Sequence, residues 1–297
     1  MRYALTMVAP PDAVFIPETV AAHALSPLGA ELVGRHALGE RAIDLAFEAS
    51  EGLRADLRRA ADEALRHFPL DWCVQPWSGR KKRLLLSDMD STIIGCEVMD
   101  ELADFAGVKD KVSAITEQAM RGEIEFAPAL RQRVAMVAGL PVADLERCYE
   151  ARVRLNPGAE VLAKTMAADG ARCVLVSGGF TFFAEKVAVE CGFQAVRANW
   201  LEVKDGALTG KVGEPVLGRE AKLTALEEEM AALGIGFEQA LAVGDGANDL
   251  AMIQAAGLGV AYRAKPVTAA QADARVDRCD LTAILYFQGY REDEFVR

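Results

Sequence analysis

Two carboxylates close an apolar run in the first third of the chain, within the segment LLLSDMDSTII at residues 84–94. The run predicts a buried strand. Asp88 and Asp90 lie where that strand should end, and an unpaired carboxylate inside a core must be neutralised or bound to a cation. At the carboxyl end of a strand, the two groups instead project into the crevice where open α/β sheets bind ligands. The segment therefore predicts a chemical site whose expected occupants are a magnesium ion and a phosphate.

Three further segments carry polar groups and follow other predicted strands or open a helix. They are SGG at 177–179, a lysine near the start of a predicted helix over 219–233, and GDGAND at 244–249. Each has an ordinary alternative role as a turn, a helix cap or a surface lysine. Their joint occurrence at strand ends and helix starts predicts a single site. The residues concerned are Ser177, Gly178, Lys222, Asp245, Asn248 and Asp249.

The elements that must position these residues alternate between strand and helix from residue 82 onward. Predicted strands cover 84–88, 172–177, 195–200, 240–244 and 258–261. Such alternation is typical of an α/β fold with a parallel sheet. We therefore expect a Rossmann-like core over residues 82–94 and 157–297. The long helical interruption between the first two strands predicts an all-helical cap over 95–156, inserted above the carboxyl edge of the sheet.

The first 78 residues predict a separate small domain. Strand candidates at 2–8, 30–49 (two strands) and 71–74 alternate with helix candidates at 18–25 and 52–65. This β-α-β-β-α-β order defines an α+β, ferredoxin-like domain, and it resembles the small regulatory modules known as ACT domains. The first strand-to-helix loop lacks glycine, which argues against close binding of an amino acid there. Regulation, dimerisation and a purely structural role all stay open.

Composition and charge narrow the function classes. A formal charge of −11 over 297 residues argues against nucleic acid or an anionic membrane as a partner. No apolar run reaches membrane-spanning length, and the N-terminus lacks the layout of a signal peptide. Six cysteines without a C-x-x-C pair are typical of a reduced, cytoplasmic protein. We expect a cytoplasmic enzyme that acts on a small molecule, with local cations holding any phosphate.

The four segments, in this order, resemble the haloacid-dehalogenase-like phosphohydrolases, and the resemblance covers residues 82–297. It implies that Asp88 is the nucleophile, forming an aspartyl-phosphate. It implies that Asp90 protonates the leaving oxygen and then takes a proton from water. Mg²⁺ would be held by the Asp88 carboxylate, the Asp90 backbone carbonyl and the Asp245 carboxylate, with Asp249 behind this shell.

The same resemblance assigns the phosphate contacts. Ser177 and the Gly178 N–H, at a helix N-terminus, suit a phosphate oxygen, and Lys222 would add a point charge to the same oxygens. Asn248 would either bond the phosphate or orient Ser177.

Substrate choice is predicted from the cap. Arg133 lies within the apolar stripe of a predicted helix that contains Phe126, so its guanidinium faces inward and needs a partner. This partner would be either a substrate carboxylate or a cap glutamate in an internal salt bridge. The resemblance implies that Arg133 binds a substrate carboxylate and Glu97 an ammonium, with apolar contacts from Met120 and Phe126, for which a core role is equally open. Ammonium, carboxylate and phosphate together define a phosphorylated amino acid, of which serine is the simplest.

The resulting expectation is Mg²⁺-dependent hydrolysis of O-phospho-L-serine, the final step of serine biosynthesis, by an enzyme whose cap opens on hinges at Gly95 and residues 155–158. Two alternatives stay open: a related phosphotransferase that passes the phosphoryl group to homoserine, and an amino-acid-sensing regulatory protein. A homodimer is possible.

Overall fold

The computed structural model of the chain describes residues 1–13, 16–120 and 123–297. It confirms the predicted fold class, a parallel α/β core with an antiparallel α+β region at the N-terminus. None of the helices in the described part of the chain is long and apolar enough to cross a membrane.

The N-terminal region forms a four-stranded antiparallel sheet in the order β2-β3-β1-β4, which is the strand order of the ferredoxin-like motif. Both faces of β1 are buried, because α1 and α2 cover one face and the core domain covers the other. The elements are β1 Arg2–Val8, α1 Glu18–Leu25, β2 Glu31–Gly39, β3 Ala42–Glu48, α2 Arg54–Leu65 and β4 Asp71–Pro76.

The core domain is built on a six-stranded parallel sheet in the order β12-β11-β10-β5-β6-β7. Its central strands are buried on both faces, as their continuous apolar sequences predict. The chain runs outward from β5 through β6 to β7 and then returns to β10 on the other side of β5. Its strands are β5 Leu84–Ser87, β6 Arg172–Phe180, β7 Ala195–Asn199, β10 Ala240–Gly244, β11 Leu258–Tyr262 and β12 Ala274–Val276.

This reversal of direction around β5 places a crevice at the carboxyl ends of β5, β6 and β10, where open α/β sheets bind ligands. Helices flank the sheet on both faces. They are α7 Ala159–Ala168, α8 Thr181–Cys191, α9 Arg219–Leu233, α10 Leu250–Ala255, α11 Pro266–Gln271 and α12 Ala283–Phe287.

In the described residues between β5 and α7, four helices form the cap. The segments that enter and leave it run side by side, since Ile94 and Leu155 form an antiparallel bridge and the Gly95 N–H donates to the Arg154 carbonyl at 3.0 Å. The Asn156 amide donates to the carbonyls of Thr92 and Ile94. The two predicted hinge segments are therefore held together by hydrogen bonds. The helices are α3 Val98–Phe105, α4 Lys109–Met120, α5 Phe126–Met136 and α6 Val142–Arg152.

A small antiparallel hairpin, β8 Leu201–Lys204 and β9 Ala207–Val212, is absent from the sequence prediction. It leaves the core after β7 and meets the cap, where Gly139 N–H donates to the Leu208 carbonyl and Leu208 N–H to the Leu140 carbonyl. Its signal is the pair Asp205-Gly206, both with positive φ, which is typical of a tight hairpin turn. The predicted strand at 195–200 ends one residue earlier, at Asn199.

Candidate active site

Acidic side chains meet at the carboxyl edge of the sheet. Asp88 follows β5, and its N–H donates to the carbonyl of Val243 on the neighbouring β10. Asp245 and Asp249 follow β10 itself. One carboxylate oxygen from each of these three buried residues lies within 4.8 Å of the others. Residues more than 150 positions apart in the sequence are thus brought together by the pairing of two strands.

Lys222, on the first turn of α9, lies inside this cluster. Its Nζ is 2.6 Å from Asp88 Oδ1 and 2.5 Å from Asp249 Oδ1, and its side chain is only 3% exposed. Burial alone would lower the pKa of Lys222, but the two carboxylates outweigh this effect and raise it. The lysine is therefore a fixed cation beside the expected nucleophile.

Asp249 holds the loop that carries Asp245. Its Oδ2 accepts hydrogen bonds from the N–H groups of Asp245 (3.2 Å) and Gly246 (3.0 Å), while its Oδ1 faces Lys222. No side chain fits at Gly244, because an added Cβ would overlap the Asp249 carboxylate. Asp249 therefore stabilises the backbone of this loop, which is consistent with the supporting role expected for it.

The charge balance of this cluster fits a divalent cation. Three carboxylates, when ionised, and one buried lysine leave two negative charges among buried side chains. Burial and the neighbouring Asp249 raise the pKa of Asp88 well above its usual range, and the same two causes raise that of Asp245 to about 6. Carboxylate oxygens are also the ligands that hard divalent ions prefer.

The metal-free protein is therefore expected to lose stability as pH rises from about 4 to about 7. Asp245 and Asp90 have folded-state pKa values raised to about 6 and about 7, above the roughly 3.9 of an unfolded aspartate. Within this window the folded state binds more protons than the unfolded state, so rising pH favours unfolding. Calorimetric unfolding in EDTA at several pH values measures this slope.

A divalent cation bound at this cluster should reverse that trend, because it would compete with protons for the same carboxylates. Saturation at about 100 times its Kd adds roughly 2.7 kcal/mol to the free energy of unfolding, and the gain should be larger at about pH 8 than at about pH 5. A gain that does not change with pH would contradict the assignment of these carboxylates to the metal.

Asp90 is held differently from Asp88. Its Oδ1 accepts from the Val98 N–H at 2.8 Å, and its Oδ2 accepts from Ser177 Oγ at 3.0 Å. Burial, followed by the negative charge of Glu97, raises the pKa of Asp90 to about 7. A carboxyl group with such a pKa exchanges a proton readily near neutral pH, which suits a general acid and base.

Ser177 and Gly178 lie in an extended segment rather than at the first turn of a helix. Strand β6 continues to Phe180 and α8 begins at Thr181. The Gly179 N–H turns back to donate to Ser177 Oγ at 2.8 Å. Close packing explains the glycines: an added Cβ would lie 3.2 Å from the cap residue Phe126 at Gly178, and 3.0 Å from Asp90 Oδ2 at Gly179.

Asn199, at the end of β7, is a buried residue of this site that the sequence prediction missed. Its Nδ2 donates to the carbonyls of Gly178 (2.9 Å) and Leu217 (3.2 Å), and its Oδ1 accepts from the Leu217 N–H at 2.7 Å. One amide thus ties the Ser177 segment to the segment that leads into the Lys222 helix. A polar residue next to the end of the strand predicted at 195–200 was the available signal.

We expect Asn199→Ala to lower kcat/KM by roughly 10- to 100-fold, because misplacement of reacting groups by about 1 Å costs up to about 10² in rate. Mg²⁺ affinity should stay unchanged, since the described contacts of Asn199 do not reach the carboxylate cluster. Gln288→Ala is the matched control, a buried amide whose partners lie outside the site. Steady-state kinetics and metal titration separate positioning from destabilisation; equal kinetic losses in both variants would indicate a structural role alone.

The cap brings two of its predicted residues, Glu97 and Phe126, close to the core residues of the site. Glu97 is exposed at the start of α3 and accepts from Ser91 Oγ at 2.7 Å. Ser91 has φ 55°, a left-handed conformation that is uncommon for a serine. Phe126 packs its ring against Gly178 and Gly218 of the core. The side chain of Met120 lies outside the described residues.

Arg133 is half-buried on α5, where its guanidinium donates weakly to the Ala129 carbonyl (3.4 Å) and Thr116 Oγ1 (3.5 Å). In the part of the chain that the structure describes, no carboxylate lies within 4.0 Å of it. Burial lowers the pKa of Arg133, opposed by the negative charges of Asp100 and Glu97. The guanidinium is therefore a cation without an ion-pair partner among the described residues.

Asn248 is exposed and folds back over Gly246, occupying the space that a side chain there would need. The recorded hydrogen bonds of Ser177 run to Asp90 and Gly179. Among the residues that the structure describes, no hydrogen bond therefore supports the alternative in which Asn248 orients Ser177.

An acid expected to act as the nucleophile, a buried lysine and a second acid expected to carry protons lie at one edge of the parallel sheet. This combination points to the class of protein that the sequence comparison identifies. A family model described as haloacid dehalogenase-like hydrolase matches residues 85–254, and the chain belongs to this family. It is 41% identical over 244 residues to the phosphoserine phosphatase of Archaeoglobus fulgidus, a match that covers 82% of this chain and 70% of that protein.

Two solved structures extend the comparison. A substrate-bound phosphoserine phosphatase complex is 40% identical, with a TM-score of 0.65 over 70% of this chain and 98% of that one. A haloacid dehalogenase family hydrolase from Salmonella enterica serovar Typhi is 27% identical, with a TM-score of 0.85 over 96% of this chain and 98% of that chain. The second likeness extends over nearly the whole chain.

Proposed function

We propose that this protein is a Mg²⁺-dependent phosphoserine phosphatase that hydrolyses O-phospho-L-serine to L-serine and phosphate. The observation that carries the proposal is the pairing of Asp88 with Lys222 at 2.6 Å beside a second, separately held acid, Asp90. The similarity to phosphoserine phosphatases at about 40% identity supports the choice of substrate.

Asp88 acts as the nucleophile. Attack of one Asp88 oxygen on phosphorus forms an aspartyl-phosphate, and the bond from phosphorus to the serine oxygen breaks. Lys222 opposes the rise in the pKa of Asp88 that burial and Asp249 cause, and it places positive charge beside the transferring phosphoryl group. Mg²⁺, held by the carboxylates of Asp88 and Asp245 and the Asp90 carbonyl, would neutralise phosphate charge when bound.

Asp90 moves the proton in both halves of the reaction. It gives its proton to the leaving serine oxygen, and then takes one from the water that attacks the aspartyl-phosphate. Its two hydrogen bonds, from Val98 and Ser177, hold the carboxyl group in one orientation while it changes charge. Ser177 and the Gly178 N–H bind the phosphate oxygens.

The cap selects the amino acid. We infer that Glu97 receives the substrate ammonium and Arg133 its carboxylate, which supplies the partner that this guanidinium lacks among the described residues. Phe126 closes the apolar side of the pocket, and Asn248 lies at the phosphate end. A cytoplasmic location, a homodimer and a regulatory, ACT-like role for residues 1–78 stay predictions from the sequence.

The direct test is phosphate release from a panel of phosphorylated small molecules, with Mg²⁺ and with EDTA. We expect phosphoserine to be the preferred substrate and EDTA to abolish release. Added homoserine should yield no phosphohomoserine. Preference for a substrate without an amino acid head group, or activity that survives EDTA, would overturn the proposal.

A further inference from the structure

The N-terminal domain contacts the loop at residues 280–282. This loop packs against residues 155–158, the predicted hinge at which the chain leaves the cap. Arg41, in the turn between β2 and β3, donates from Nη2 to Thr282 Oγ1 at 2.7 Å and to both carboxylate oxygens of Asp280 at 3.2 and 3.3 Å. Its side chain is 19% exposed, and Thr282 is 7% exposed. This is a largely buried charged contact between two domains.

The loop at 280–282 in turn holds the hinge. The Leu281 N–H donates to the Pro157 carbonyl at 3.0 Å. Gly158 has φ +84°, and an added Cβ there would lie 2.7 Å from the Thr282 nitrogen and 3.1 Å from the Leu281 nitrogen. The backbone that leaves the cap is thus packed directly on the loop that Arg41 grips, with no room for a side chain between them.

From there the contacts continue to the catalytic segment. Asn156, next to Pro157, donates its side-chain amide to the carbonyls of Thr92 and Ile94, and its N–H to the Ile93 carbonyl at 2.8 Å. These residues follow Asp90 by two to four positions. Each link is a short hydrogen bond or a backbone contact, so the chain of contacts is continuous.

We propose that the N-terminal domain controls how readily the cap opens, through the grip of Arg41 on the 280–282 loop. In the structure the cap is closed, since Phe126 packs on Gly178 and Gly218 and Arg131 pairs with Glu214 of the core. Loss of the Arg41 contact frees the loop and the hinge it supports, and the open cap gains population. A ligand or partner that moved the N-terminal domain would act on catalysis by the same route.

The test compares two variants that each remove one ion pair between the domains. Arg41→Met breaks the contact with Asp280 and Thr282. Arg54→Met breaks a contact with Asp273 of similar exposure, on the side of the interface formed by β12. Hydrogen exchange of the amides of Gly95 and Asn156 is measured in the full chain, with and without inorganic phosphate and Mg²⁺.

We expect Arg41→Met to speed exchange at both hinge amides at least about fivefold, and Arg54→Met to leave them unchanged. Thr282→Val keeps the shape and removes the hydroxyl that accepts from Arg41 and donates to Asp280. It should reproduce part of the effect, and it replaces Arg41→Met in the test if that variant folds poorly. Equal hinge exchange in wild type and Arg41→Met, or equal acceleration in both arginine variants, would overturn the proposal.

The kinetic consequence rests on the proposed function: KM for phosphoserine should rise about threefold or more in Arg41→Met and stay constant in Arg54→Met. The exchange measurement does not depend on the substrate. Failure of the phosphatase assignment and failure of the hinge coupling therefore give different results.

Discussion

Replacement of Asp88 by asparagine should reduce phosphoserine turnover by roughly 10⁴-fold or more, since an amide oxygen cannot serve as the nucleophile. The fold should survive. Asp88 is crowded by Asp249, and burial already raises its pKa well above the usual range, so a neutral side chain relieves repulsion in the metal-free protein. Single-turnover phosphate release and calorimetry measure the two effects.

Asp44→Asn is the matched control for that experiment. Asp44 is also buried and pairs with an arginine, Arg80, at 2.7 Å, but it lies in the N-terminal domain. It should lose stability, because the largely buried Arg80 is left without its partner, and retain turnover per folded molecule. If Asp88→Asn retained more than a few per cent of wild-type turnover, another group would have to be the nucleophile.

The second large effect concerns substrate choice. Arg133→Ala should lower kcat/KM for phosphoserine by roughly 10- to 150-fold, the equivalent of about 1.5–3 kcal/mol for a charged hydrogen bond. Hydrolysis of an aryl phosphate, which has no amino acid carboxylate, should change by less than about threefold. The reason is that Arg133, a half-buried cap residue, has no carboxylate within 4.0 Å in the described part of the chain and is proposed to bind the carboxylate of phosphoserine.

Arg131 provides the control on the same helix. Its guanidinium is exposed and pairs with Glu214 of the core at 2.7 Å, a surface contact of small energetic value. Arg131→Ala should affect both substrates alike and only slightly. If Arg133→Ala lowered kcat/KM equally for phosphoserine and the aryl phosphate, this arginine would stabilise the cap and would not bind the substrate carboxylate.

The core of the site was predictable because its chemistry sits at strand ends. Apolar runs such as 84–87 and 240–244 identify buried strands, and the residues that follow them must meet at one edge of a parallel sheet. Helix α9 runs over Arg219–Leu233, the predicted range, which fixes Lys222 on its first turn.

Other features depend on contacts between distant segments, which local patterns do not encode. The position of Lys222 between Asp88 and Asp249 requires the packing of α9 on the sheet. The three hydrogen bonds of Asn199 join two segments that lie about 20 residues away on either side in the sequence. The hydrogen bonds from Arg41 to Asp280 and Thr282 join residues that are more than 230 positions apart in the sequence.

The hairpin after β7 was missed by the sequence prediction for a different reason. Its first strand is half-exposed and only four residues long, so its hydrophobic pattern is weak, although the Asp205-Gly206 turn was visible. Strand β12, with three residues, lies below the length at which alternation is recognisable.

The most direct test of the catalytic account is to trap the enzyme during turnover. Enzyme mixed with ³²P-labelled phosphoserine and Mg²⁺, then quenched in acid, should carry label in a hydroxylamine-sensitive acyl-phosphate, and peptide mapping should locate it on Asp88. Quenched enzyme that turns over substrate yet carries no acyl-linked label, or carries it on Asp90, would contradict the assignment of the nucleophile.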